Sequence, residues 1–180
     1  MIYFTSDLHF WHDNIIHHCQ RPFWSSDEMN DVIIDNWNSV VLPDDEVYIL
    51  GDVTIEGPEK SFAMLSQLKG RKYLIRGNHD RFVDNADWQQ YSWVFRWVKD
   101  YHEFVWNNQK FVLFHYPIAE WADYYKGAIH LHGHQHNKKD YNLQQLQAGL
   151  RRYDVGVDAN DFAPVSINKI IEEFKEITAG

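Results

Sequence analysis

Five short apolar runs in this chain each end on side chains that bind metals or move protons, and no other feature constrains the fold as strongly. Ile2-Tyr3-Phe4-Thr5 leads into Ser6-Asp7-Leu8-His9, and Val47-Tyr48-Ile49-Leu50 leads into Gly51-Asp52. Lys72-Tyr73-Leu74-Ile75 leads, through Arg76, into Gly77-Asn78-His79-Asp80. Lys110-Phe111-Val112-Leu113-Phe114 runs into His115-Tyr116-Pro117, and Ala128-Ile129-His130-Leu131 into Gly133-His134-Gln135-His136. Short β-favouring runs bounded by glycine and polar residues read as strands. Open α/β sheets bind ligands at the carboxyl ends of their strands. If the runs lie in one or two packed sheets, Asp7, His9, Asp52, Asn78, His79, His115, His134 and His136 converge there.

The intervening segments supply helices. Ser25 and Glu28 have the spacing of a capping box, and the helix behind them places Met29, Val32, Ile33, Trp37, Val40 and Val41 on one stripe. Gly57-Pro58 suits a helix start, with Phe62, Leu65 and Leu68 facing a core and Gly70 as the stop. Residues 81–101 read as helix and loop, with Trp88, Trp93 and Trp97 on one helix face, although Trp93 to Val98 also suits a strand. Asn107-Asn108 suits a tight hairpin turn, and Trp121 to Lys126 a short helix or lid. Residues 137–152 read as a polar loop and Tyr153 to Asp158 as a short late strand and turn. Ser166 then caps a closing helix with Ile167, Ile170, Ile171, Phe174 and Ile177 on one face. No repeat or linker divides residues 1–180, so a single domain is expected.

Charge and cysteine usage narrow the function classes. A formal charge of −9 disfavours long, sequence-independent contact with nucleic acid, yet bound divalent cations would offset it locally. Cys19 is the only cysteine, which excludes an intrachain disulfide and makes the cytoplasm the expected compartment. His17, His18 and Cys19 lack recognisable zinc spacing and read as surface or packing residues. No apolar stretch suits a membrane span, and the first strand follows Met1 too closely for a removable signal.

The polar tips suit one chemistry well. Two metal ions ~3.5–4 Å apart form a clamp for in-line displacement at phosphorus and lower the pKa of a water between them. Such a pair needs a donor that touches both ions, and Asp52, alone after its strand, is the natural bridge. Imidazoles and an amide oxygen suit manganese, iron, zinc, nickel or cobalt better than calcium, with manganese the leading choice. His79, beside the metal donors, can protonate the leaving oxygen, with Asp80 orienting it.

Asp7-Leu8-His9, Gly51-Asp52, Gly77-Asn78-His79-Asp80, His115 and Gly133-His134-Gln135-His136 together resemble, in identity and order, the calcineurin-like metallophosphoesterases. Thr5-Ser6-Asp7, Arg21-Pro22-Phe23, His115-Tyr116-Pro117 and Val155-Gly156-Val157-Asp158 are similar to a small prokaryotic and phage branch of that family. The resemblance implies a four-layer α/β/β/α sandwich of two mixed sheets flanked by helices. It also implies one ion on Asp7, His9, Asp52 and His136, a second on Asp52, Asn78, His115 and His134, and His79 as the catalytic histidine outside both sets. Larger members often carry an acid three residues after the bridging aspartate, where this chain has Ile55.

The expected activity is divalent-metal-dependent hydrolysis of a phosphoester, by phosphatase or phosphodiesterase action, on a small phosphorylated substrate such as a nucleotide. His12, Arg21 and Arg81 are the leading substrate contacts, followed by Arg76, Lys138 and Lys139, while Trp11, Trp24, Tyr116 and Trp121 could hold a base. A nuclease acting on nucleic-acid ends and a non-catalytic scaffold of the same fold are the alternatives. Oligomeric state is not legible at this level.

Overall fold

The computed structural model describes residues 1–84 and 93–178. Two mixed β-sheets stack face to face. In the first, β1 (Ile2–Thr5), β2 (Glu46–Ile49), β3 (Arg71–Ile75) and β4 (Phe95–Lys99) run parallel, and β9 (Val165–Ser166) pairs antiparallel with β1, giving the order β4-β3-β2-β1-β9. The second has the order β5-β6-β7-β8, from β5 (Tyr101–Trp106), β6 (Gln109–Phe114), β7 (Ile129–His132) and β8 (Arg152–Asp154). Its β5 and β6 form an antiparallel hairpin, and β6, β7 and β8 run parallel.

Alternation along the strands sets which face each residue serves. Phe4, Tyr48, Leu50 and Ile75 point into the space between the sheets, where they meet Phe111, Leu113, Ile129, Leu131 and Tyr153. Val47, Ile49 and Leu74 face the other way, into a core closed by Ile15 and Ile16 of α1 (Asp13–His18), Met29, Ile33 and Trp37 of α2 (Ser26–Val40), and Phe62 and Leu65 of α3 (Pro58–Leu65). Because both faces of this sheet are covered, its strands read as continuous apolar runs. The closing helix α5 (Ile167–Thr178) sends Ile167, Ile170 and Phe174 into the inter-sheet core. Ile177 and Trp88 lie outside the residues whose side chains are described. No helix among the described residues is long and apolar enough to cross a membrane.

Local signals in the sequence act as expected. Ser25 Oγ accepts from Glu28 N at 3.2 Å, and Ser166 Oγ accepts from Lys169 N at 3.2 Å. Asn107 and Asn108 take φ values of 47° and 64°, which gives the β5–β6 turn the left-handed pair a tight hairpin needs.

Two expectations are corrected. Residues 95–99 form strand β4, not helix: β3 advances two residues from Lys72 to Leu74 while its partners advance three, from Phe95 to Val98. That irregularity breaks the strict alternation that marks a strand in sequence. Residues 140–147 form helix α4 (Asp140–Gln147), not loop, and only Asn142 and Leu146 of it are buried. An amide anchors it instead of an apolar stripe: Asn142 Nδ2 donates to Asp154 O at 2.9 Å, and Asn142 Oδ1 accepts from Asp154 N at 2.7 Å.

Asp154 O also accepts from Asn160 Nδ2, so Asn142→Ala leaves one buried N–H, that of Asp154, without its acceptor. The expected cost is about 1–3 kcal/mol, read as a lower urea midpoint with an unchanged slope.

Candidate metal centre

The carboxyl ends of β1, β2 and β3 meet those of β6 and β7 across one edge of the stacked sheets. Asp7 and His9 follow β1, Asp52 follows β2, Asn78 follows β3, His115 follows β6, and His134 and His136 follow β7. Five of these seven residues sit in the left-handed backbone region, with φ of 58° at Asp7, 52° at His9, 55° at Asp52, 72° at His134 and 50° at His136. Such conformations cost roughly 1–3 kcal/mol each and cluster where the surroundings fix them for function. Here the loops fix one another: Asp7 N donates to Gly51 O at 2.9 Å, His9 N to Asp52 O at 3.0 Å, and Gly133 N to His115 O at 2.9 Å. Two glycines are set by close approach. A Cβ at Gly77 would fall on the Asp52 carboxylate, and one at Gly133 on Ser6 Oγ and the Asp7 carboxylate.

The donor atoms gather in two adjoining groups, Asp7 with His9 and His136, and Asp52 with His115 and His134, each with its atoms within 4.8 Å of one another. Asp52 links them. Its Oδ2 lies 3.6 Å from His9 Nε2 and 3.5 Å from His115 Nε2, while its Oδ1 accepts from His79 N at 2.9 Å. Asn78 Oδ1 is 3.1 Å from His115 Nε2, and His134 N donates to both Asp7 oxygens, at 3.1 and 2.9 Å.

Three of the imidazoles have Nδ1 engaged away from the centre. His9 Nδ1 lies 3.1 Å from His12 Nδ1, His115 Nδ1 2.7 Å from Leu50 O, and His136 Nδ1 2.9 Å from Asp158 Oδ2. Each therefore offers Nε2 inward, as outer-shell partners do for metal-binding histidines. His9 Nε2 is buried without a hydrogen-bond partner, which a neutral protein interior seldom tolerates and a cation satisfies. The donor set fits divalent transition metals.

Electrostatics point the same way. Burial pushes the Asp7 carboxyl up to about 6, against the pull of His136 and His115. Burial drives His9 down to about 2, which keeps its imidazole neutral. Burial alone would raise Asp52, but the hydrogen bond and charge of His115, the His79 N–H and His9 hold it down to about 2. Burial likewise disfavours a charged His136, yet Asp158, Cys19 and Asp7 lift it to about 10. Buried carboxylates and imidazoles share one pocket, where a proton on His136 offsets carboxylate charge in the absence of a cation and a divalent ion takes over that role when bound.

Residues expected around this centre divide sharply. His12 and His79 are beside it: the His79 ring is exposed and centred 5.3 Å from the His9 ring and 6.1 Å from that of His12. Tyr116 is also there, its ring 4.5 Å from His134 and its hydroxyl 3.4 Å from Asn78 Oδ1. Arg81 is exposed just after the Asn78 loop. Arg21 is a correction. It is buried, and its guanidinium donates to Asp158, Leu8 O and Asp7 O, so it braces the β1 tip from behind and is not a substrate contact. Arg76 pairs with Asp84 and Asp100, and Lys139 with Asp161. Trp121 packs inside with Nε1 on Ala128 O, Trp11 lies under Lys60, and Trp24 is 97% exposed, so of the four aromatics only Tyr116 reaches the donor groups.

Asp80 is the second correction. Its carboxylate does not orient the His79 ring; it accepts backbone N–H groups of Asp52 at 2.9 Å, Val53 at 2.8 Å and Gly77 at 2.8 Å. It thereby ties the β2 and β3 tips together. Sequence reasoning misses Asp158, which partners both His136 and Arg21. Its one signal was the Val155-Gly156-Val157-Asp158 phrase, which carries no metal-binding spacing of its own.

Asp80→Ala strands two buried N–H groups and one part-buried, and should destabilise the fold by about 3 kcal/mol in urea unfolding. Asp80→Asn, which keeps an acceptor oxygen, should recover part of that loss.

Comparison with known proteins agrees with this geometry. Residues 1–138 match the family model for calcineurin-like phosphoesterases. The uncharacterized protein MJ1445 of Methanocaldococcus jannaschii is 35% identical over 173 residues, 95% of this chain and 89% of that protein. The gene 66 protein of Mycobacterium phage D29 is 26% identical over 200 residues, covering 97% of this chain and 98% of its own length. Among solved structures, the Aquifex aeolicus protein of unknown function AQ665 superposes with a TM-score of 0.73 at 28% identity, over 96% of this chain and 98% of that one. A family match across most of the chain, a relative similar along nearly its whole length and a pocket of metal-donor groups at the strand ends lead to one assignment. The chain belongs to the calcineurin-like phosphoesterase family and is a metallophosphoesterase.

Proposed function

We propose that this enzyme holds two divalent ions, one on Asp7, His9, Asp52 and His136 and the other on Asp52, Asn78, His115 and His134, and hydrolyses small phosphorylated substrates. The observation that carries the reading is Asp52 Oδ2, which stands 3.6 Å from the nearest imidazole nitrogen of one group and 3.5 Å from that of the other. A carboxylate so placed is the shared donor a paired centre needs. When bound, such a pair supplies Lewis-acid charge for the phosphoryl oxygens and lowers the pKa of water.

The chain's own residues then divide the remaining work. His79 is exposed beside His9 and outside both donor groups, so its ring is free to give a proton to the leaving oxygen. The hydrogen bond from His79 N to Asp52 Oδ1 fixes that residue's backbone against the shared carboxylate. His12 and the Tyr116 hydroxyl border the same opening and are placed to meet the substrate. Tyr116 offers one aromatic face, which suits a nucleotide base, and the formal charge of −9 favours a small substrate over a long nucleic acid. Manganese is the ion proposed for this mix, since the aspartate and amide oxygens suit it, with iron, zinc, nickel and cobalt served by the same imidazoles.

Chelation should abolish phosphoester hydrolysis and manganese should restore it, followed with a chromogenic ester and then a panel of mono-, di- and cyclic nucleotides. His79→Asn should lower turnover on esters with poor leaving groups about 10²- to 10⁴-fold while leaving metal content unchanged; equal turnover would remove His79 from the reaction.

Metal uptake must also depend on pH. The donor histidines bind ions only when deprotonated, and in the absence of a cation His136 holds its proton up to about 10. Each ion therefore displaces protons, and affinity rises with pH. Activity should fall on acidification; a flat profile down to about pH 5 would contradict the assigned donors.

A further inference from the structure

We propose that Asp158, clamped by Arg21, is a positioning residue for His136 and makes the ion position built on Asp7, His9 and His136 the tighter of the two. The inference rests on the paired-ion reading above. Among the described hydrogen bonds of the donor histidines, the ring partners differ in charge. His9 Nδ1 meets another imidazole and His115 Nδ1 a backbone carbonyl, but His136 Nδ1 meets a carboxylate at 2.9 Å. An anionic partner holds a proton on Nδ1, fixes the ring so that Nε2 faces the ion that displaces its other proton, and strengthens that nitrogen as a donor to a cation.

The carboxylate keeps its place because Arg21 holds it at two points, Nε to Oδ1 at 3.1 Å and Nη2 to Oδ2 at 2.8 Å. The same guanidinium donates to Asp7 O at 2.7 Å and Leu8 O at 3.1 Å. One buried side chain thus fixes both the carboxylate behind His136 and the backbone carrying Asp7. Asp158 also lies near Cys19 and His136 in a way that could itself hold an ion. Two cations already lean on it, however, Arg21 and, at 4.0 Å, Lys138 Nζ. They oppose a third cation and leave the carboxylate as a hydrogen-bond acceptor. Asp158 falls outside the family match over residues 1–138, so that match assigns it nothing.

The test compares wild type with Asp158→Asn, which keeps the shape and removes the charge, by calorimetric titration with manganese and by electron paramagnetic resonance of the bound ions. Wild type should take up two ions in steps of unequal affinity. In the variant the tighter step should weaken by about 10- to 100-fold, and the signal of the spin-coupled pair should need correspondingly more manganese. Asp158→Asn that is folded and binds both ions as wild type does would overturn the inference. Wild type binding fewer than two ions would instead overturn the paired-ion reading. A measurement on wild type alone covers a variant that fails to fold. The zinc-loaded protein should show a far-downfield His136 Nδ1–H proton in a nitrogen-correlated NMR spectrum, and its absence would also overturn the role given to Asp158.

Discussion

Everything at the centre depends on two sheets packing so that strands of both end at the same edge. Phe4, Tyr48, Leu50 and Ile75 press on Phe111, Leu113, Ile129 and Leu131. Each fully buried side chain of this size contributes roughly 1.5–3 kcal/mol. The packing is specific as well as strong. The Tyr48 ring lies nearly parallel to that of Phe104 at 5.5 Å and that of Tyr73 at 4.7 Å, so aromatic rings from both sheets share one stack. A slip of one residue in either sheet would turn these rings outward and carry the polar tips apart. The register of the apolar core is therefore also the register of the donor groups.

That edge is held against its own cost. It contains five left-handed residues and carboxylates buried beside one another. The stabilising features lie immediately behind it. Asp80 gathers three backbone N–H groups from two loops, Arg21 spans the first strand tip and Asp158, and the glycines at 77 and 133 let main chain approach the Asp52 and Asp7 carboxylates. The surroundings over-determine the strained positions, which is the condition for strain to persist in a folded protein. They leave a demand for a cation, as a positive charge beside the Asp7 carboxyl and as a partner for the buried His9 Nε2. A divalent cation meets it.

The strands and their tips were legible in the sequence because apolar runs ending on Asp, Asn and His are visible locally. The helices α2, α3 and α5 were legible for a similar reason, since each carries an apolar stripe or a cap. What escaped was structure made by non-local or polar means. Helix α4 is anchored by Asn142 on β8 and shows no stripe, and β4 carries an irregular register that hides its alternation. The same distinction holds at the centre. The donor residues can be read from their own short motifs, but Asp158 and Arg21 are 137 positions apart and nothing local joins them.

Arg21 by its charge and Asp80 by its place beside His79 both read from the sequence as chemical residues, and both serve as braces. The physical reason is general to a crowded polar edge. Converging strand ends leave backbone N–H and C=O groups with no sheet partner, and these must be satisfied inside the protein. A charged side chain with several donors or acceptors does this most economically: Asp80 takes three N–H groups, and Arg21 gives to two carbonyls and a carboxylate. Exposure separates the two uses. Arg21 and Asp80 are 4% and 2% exposed, whereas His79 next door is open to solvent. A charged residue near such a centre can reach substrate only if the backbone around it has not already claimed it, and sequence proximity alone does not reveal that prior claim.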